Sequence, residues 1–189
     1  MISIFADVDN TLIPETAFES FITEHLCTTI NDVLKKPQLF DYVFIQLYNS
    51  VFIDDNILFV INDILRTMNV QCQFFLISKK YSSVSVQALY NLAERLSKNI
   101  RCYPMADIVR SYTIRCFIKK DDILIHDYDD NFDFDERRII RVNNDNLIIN
   151  KNVIPLEYDA KNYSMYRITN LQSKIELAKN LVKLIQIGE

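Results

Sequence analysis

No apolar run in this chain is long enough to cross a bilayer, which takes roughly 20 residues; runs such as Phe74 to Ile77 fall far short of it. The N-terminus does not pair a basic region with an apolar one, so neither a membrane nor a secretory route is indicated and an intracellular, cytoplasmic protein is expected. Histidine is scarce as well. His25 and His126 are the only two, and Cys27, Cys72, Cys102 and Cys116 form no C-x-x-C pair, which argues against a zinc site and reads as reduced, mostly buried thiols. There is no basic excess: 21 Lys and Arg against 25 Asp and Glu give a formal charge of −4, with acids concentrated from Asp121 to Glu136. General nucleic-acid binding needs a basic surface, so a phosphorylated end is the most that such a partner would offer. Glycine is nearly absent, Gly188 being the single one. Repeats and low-complexity linkers are missing too, and with them any sign of a multi-module array.

What is present describes one folded unit. A chain of 189 residues and 22.3 kDa, 49% apolar and 24% charged with a mean hydropathy of +0.00, suits one α/β domain with a small insertion. Ile2 to Ala6 reads as a buried strand ending in Asp-Val-Asp-Asn-Thr. Phe18, Phe21, Ile22, Leu26, Ile30, Val33 and Leu34 recur at helical spacing up to a break at Pro37, and a further helix is expected over Phe40 to Val51. Ile57, Leu58, Ile61, Ile64, Leu65 and Met68 predict a helix that Asp54 or Asp55 would cap. Strands are expected at 72–77, 100–103, 123–125, 138–142 and 147–149, and helices at 83–96 and 171–187. This alternation implies right-handed crossovers and a parallel sheet with helices on both faces, whose ligands bind at the carboxyl ends of the strands. The one boundary to draw sets a helical insertion, residues 14–52, apart from a core of residues 1–13 and 53–189.

Polar groups cluster at those strand ends. If the first strand continues through them, Asp7, Asp9 and Thr11 project to one side, and Asp127 adds a third carboxylate from another strand. Crowded carboxylates repel and resist desolvation unless a proton or a cation offsets them, and magnesium is the natural hard cation for oxygen ligands.

The segment Ile4-Phe5-Ala6-Asp7-Val8-Asp9-Asn10-Thr11-Leu12-Ile13 resembles the first motif of the haloacid dehalogenase-like (HAD) superfamily, an apolar strand followed by Asp-x-Asp-x-Thr. The resemblance covers about residues 2 to 131. It implies a Rossmann-like, three-layer α/β core with a small helical cap, and a magnesium-dependent phosphomonoester hydrolase acting through an aspartyl-phosphate. By the same resemblance Asp7 is nucleophile and metal ligand, while Asp9 is general acid and base with its backbone carbonyl on the metal. Thr11 and Ser78 would bind the phosphoryl group, Asp127 would bind the metal, and Asp130 would be the second acid of that motif. The family's basic residue has no clear lysine in its place; Arg110 is the first candidate, then Lys119 or Lys120, and arginine differs from lysine in geometry. A cap of about 40 residues favours a small phosphorylated substrate such as a nucleotide or phosphometabolite. A phosphatase of phosphoproteins or nucleic-acid 3′ ends is the alternative within the enzymes, and a non-catalytic binding or structural protein that kept the fold is the alternative outside them.

Overall fold

Ile4, Phe5 and Ala6 are all buried, so β1 (Ile2–Asp7) is covered on both faces, as a central parallel strand must be. The computed structural model describes residues 1–26, 28–78, 82–106, 119–127 and 138–186. Within them β1 pairs in parallel with β2 (Cys72–Ser78) on one side and β4 (Ile123–His126) on the other. Beyond β2 lies β3 (Cys102–Ala106), and beyond β4 come β5 (Ile139–Asn143), β6 (Asn146–Ile149) and β7 (Asn152–Pro155). The seven-stranded sheet has the order β3-β2-β1-β4-β5-β6-β7. Its outer strands, β3 and β7, carry Pro104 and Pro155.

The sheet corrects the expectation of an all-parallel one. Strands β1 to β5 are parallel, but β6 and β7 join antiparallel, because two-residue turns bring the chain straight back where a parallel connection needs a crossover of a dozen residues or more.

Six α-helices accompany the sheet among the described residues: α1 (Glu15–Leu26), α2 (Ile30–Leu34), α3 (Pro37–Ser50), α4 (Ile57–Thr67), α5 (Ser83–Leu96) and α6 (Leu171–Gln186). Pro37 sits in the first turn of α3, where its missing N–H costs nothing. Asn56, and neither Asp54 nor Asp55, caps α4: its side chain accepts from the amides of Leu58 and Phe59. Ser82 and Ser85 form a capping box at the start of α5. No helix among the described residues is long and apolar enough to cross a membrane.

Alternation along the strands decides what each face meets. Ile4, Ala6, Phe74, Leu76, Ile123, Ile125, Ile140 and Val142 share one apolar cluster with the buried residues of α1 to α6. Phe18, Phe21, Phe44 and Tyr48 belong to it, so residues 14–52 share their core with the sheet. The other face gathers Phe5, Ile77 and Leu124, with Phe75 and Met105 packed against them. Among the described residues, then, helices cover one face where two covered faces were expected. Right-handed crossovers from β1 to β2 and on to β3 move in one direction and so leave α4 and α5 on the same side.

Candidate active site

The chain leaves β1 toward β2 and later returns to β1's other side as β4, so the strand order reverses at β1. Connections leaving the carboxyl ends of neighbouring strands diverge at such a point and open a crevice between them. Asp7 is the last residue of β1, Ser78 the last of β2, and Asp127 follows the last of β4. All three are therefore delivered to one rim of the sheet.

β1 does not run on through Thr11, so the condition under which strand alternation would align Asp7, Asp9 and Thr11 is not met. After Asp7 the chain coils on itself: the Val8 carbonyl accepts from the amides of Thr11, Leu12 and Ile13 at 3.3, 3.0 and 3.0 Å, and the Asn10 amide donates to the Ile13 carbonyl at 2.9 Å. Asn10 takes the left-handed conformation that this turn requires, with φ of 63°, a region its short polar side chain tolerates. The coil, and not strand alternation, folds Thr11 back onto Asp7. Fully buried, the Thr11 hydroxyl donates to Asp7 Oδ2 at 3.4 Å while the Val8 amide donates to Oδ1 at 3.0 Å.

Asp9 is held by two hydroxyls from distant parts of the chain. Ser78 donates to Oδ2 at 3.1 Å, and the Tyr48 hydroxyl, from α3, donates to Oδ1. Tyr48 lies in the helix expected over Phe40 to Val51, at the spacing of Phe40 and Phe44, a place that suits packing. It does pack, with none of its surface exposed, yet its hydroxyl ends on a carboxylate of the site. Burial above all, then the Asp9 carboxylate, raises the Tyr48 phenol well above its ordinary range, so it stays a donor.

Asp7 carries the electrostatic conflict anticipated for crowded carboxylates. Burial first, then the charges of Asp9 and Asp127 and a side-chain hydrogen bond with Asp127, hold its carboxyl well above the usual range, while the Val8 amide acts in the opposite direction. Carboxyls 7 and 127 thus sit close enough to share a proton. Such a place suits a hard cation by donor chemistry, since a cation can take over the proton's task. A ready-made cage is a different matter: among the described residues no three His, Cys, Asp or Glu side chains are arranged to hold a metal ion, and the Asp9 carboxylate is turned to Tyr48 and Ser78.

Of the residues singled out in the sequence, Asp7, Asp9, Thr11, Ser78 and Asp127 converge here. Arg110 and Asp130 lie outside the described residues. Lys119 and Lys120 do not reach the site. They precede β4 and are exposed, and the Lys119 amide bonds Asp122, whose other oxygen accepts from the Ser3 amide at the start of β1, so both lysines stand at the opposite rim of the sheet. A basic residue that sequence order concealed lies nearer. Register pairs His126 with Arg141 of β5 and Ala6 with Ile125, which places Asp7, His126 and Arg141 in one row on one face. The C-terminal part of the chain also supports the site: the Tyr166 amide donates to the Leu12 carbonyl at 2.8 Å, bracing the coil that follows Asp7. Neither placement leaves a trace in local sequence pattern. No protein-family model, no curated protein and no solved structure matches this chain.

Proposed function

We propose that the chain is a magnesium-dependent phosphomonoester hydrolase of the HAD type, with a Rossmann-like core of residues 1–13 and 53–189, a small helical cap of residues 14–52 and a cytoplasmic place of action. The observation that carries the reading is the convergence of Asp7, Asp9, Asp127, Ser78 and Thr11 at the carboxyl end of β1, where the strand order reverses.

The chemistry follows from those groups. An Asp7 carboxylate oxygen attacks phosphorus in line as the ester P–O bond breaks, and Asp9 gives its proton to the departing oxygen. Water then attacks the aspartyl-phosphate, losing a proton to Asp9, and the Asp7–phosphorus bond breaks to release inorganic phosphate. The Val8 amide on Oδ1 and the Thr11 hydroxyl on Oδ2 orient the nucleophile before substrate arrives. Ser78, with Arg110 from the β3–β4 connection, would receive phosphoryl oxygens. Asp7, Asp127, Asp130 and the Asp9 carbonyl would hold the cation, which supplies charge neutralisation for both the carboxylates and the phosphoryl group. The helical cap of residues 14–52, from which Tyr48 reaches Asp9, favours a small substrate, such as a nucleotide or phosphometabolite, over a phosphoprotein or a nucleic-acid 3′ end.

Release of p-nitrophenol from p-nitrophenyl phosphate with magnesium, compared between wild type and Asp7→Asn, tests the reading. Wild-type turnover that falls at least about 1,000-fold in the variant is expected. Equal background release from both would favour the non-catalytic reading, which the placement of Lys119 and Lys120 away from the site motivates.

A further inference from the structure

Asp9 is the residue on which both halves of the proposed reaction turn, and its carboxyl group has two unlike ends. Oδ2 accepts from Ser78, the last residue of β2 at the strand-end rim, whereas Oδ1 accepts from the Tyr48 hydroxyl of α3. Tyr48 is fully buried and stacked edge-on against Phe44 at 5.5 Å, itself edge-on to Phe18 and Phe40. An aromatic ring so enclosed has little freedom to swing.

The helix that bears it is fastened at both ends to α5. Near the start of α3, Asp41 accepts from the Ser82 hydroxyl at 2.7 Å. At its end, the Tyr48 and Val51 carbonyls would be left without intrahelical partners; the Arg95 guanidinium donates to them at 2.8 and 2.7 Å. One side chain therefore fixes the backbone of the residue whose hydroxyl fixes Asp9. A purely apolar contact would have been served by phenylalanine, the residue at positions 40 and 44 of the same stripe.

We infer that Tyr48 is a positioning residue for the proposed hydrolysis: it anchors Asp9 by Oδ1, leaving Oδ2 as the oxygen that exchanges a proton with the leaving group and with water. The inference rests on the reading of Asp9 as general acid and base. Ser78 then has two successive partners. Without substrate it donates to Asp9 Oδ2, and when a phosphoryl oxygen takes its hydroxyl, Oδ2 is released toward the leaving oxygen while Oδ1 stays fixed. In the first step the proton on Oδ2 passes to the ester oxygen as the P–O bond breaks; in the second, Oδ2 recovers a proton from the attacking water. Tyr48 keeps its own proton throughout.

Leaving-group dependence tests this without reference to stability. A p-nitrophenolate departs with little help from an acid, whereas an alkoxide needs a proton, and general acid catalysis is worth about 100-fold or more. Wild type, Tyr48→Phe, Arg95→Gln and Asp9→Asn are compared on p-nitrophenyl phosphate and on an alkyl phosphate such as glycerol 2-phosphate, with circular dichroism confirming the fold. Tyr48→Phe is expected to lower kcat/KM, which reports the steps up to the aspartyl-phosphate and excludes the water attack common to both esters, by about tenfold or more on the alkyl ester and by less than about threefold on the nitrophenyl ester. It should add nothing further in the Asp9→Asn background, since the two residues act as a unit. Arg95→Gln leaves the hydroxyl in place and loosens its helix end, so the same bias at smaller amplitude is expected and remains readable if Tyr48→Phe fails to fold. Equal losses of kcat/KM on both esters from the folded variants, or full additivity with Asp9→Asn, would overturn the inference while leaving hydrolysis by Asp7 intact. Absence of wild-type turnover on either ester would overturn the hydrolase reading and this role with it.

Discussion

A carboxyl that binds its proton more tightly in the folded chain than in the unfolded one weakens the fold as pH rises, because deprotonation is then easier in the unfolded state. Asp7 is such a group, raised by burial first and then by Asp9 and Asp127. Its unfolded value is about 4, so in metal-free buffer the stability of the wild type is expected to decline as pH climbs from about 4 toward neutrality. Asp7→Asn removes the charge and should flatten that decline, giving a melting temperature at pH 7 equal to or above that of the wild type. Thermal unfolding in EDTA across this range checks the sign; a variant that melts well below the wild type at neutral pH would contradict it. A group that is costly to stability and placed at a crevice is what a functional site leads one to expect. At this scale the sequence was informative where polar residues closed apolar strands, as at Asp7, Ser78 and Asp127. It was silent on Tyr48, whose hydroxyl partner lies 39 residues away and whose spacing is that of any buried helix stripe.

Elements show the cost of a chain almost without glycine. Eight described residues have positive φ, and none is glycine. Two pairs of them, Asn144-Asp145 and Asn150-Lys151, join β5 to β6 and β6 to β7 as two-residue turns, the geometry that a primed hairpin turn demands and that Asn-Gly meets best. Lys151, with φ of 65°, has no short polar side chain to ease the left-handed region, which costs such a residue about 1–2 kcal/mol. Lys151→Gly is expected to raise the melting temperature by about 2–4 °C after allowing for the greater freedom of glycine in the unfolded chain. Differential scanning calorimetry measures it, and an unchanged or lower value would show the turn to be unstrained. The same shortage hid β7 from sequence reading, since a turn written Asn-Lys lacks the usual hairpin signal. Helices were plainer: α5 was expected over 83–96 and occupies Ser83–Leu96, because its apolar period and capping serines agree.

For the whole molecule, the parallel part of the sheet was legible because strand and helix patterns alternate, whereas the role of the C-terminal part was not. Residues 156–168 attach to the rest through a set of backbone bonds, Met165 to Phe52, Tyr166 to Leu12, Ile57 to Tyr166 and Ile168 to Asp55, beside their side-chain contacts. Such bonds impose no side-chain period. Met165 and Ile168 are fully buried beneath them, so Ile168→Ala is expected to cost about 2–4 kcal/mol of unfolding free energy in urea titration. A cost under about 1 kcal/mol would mean that the segment merely lies against the surface. The two outermost strands raise a different matter. A sheet that ends in an open strand invites a second molecule to continue its ladder, and proline at such a border removes a donor from the row offered to the newcomer. With Pro104 on one border and Pro155 on the other, neither side presents an unbroken template, and stacking of copies into fibrils by sheet extension is disfavoured from both directions.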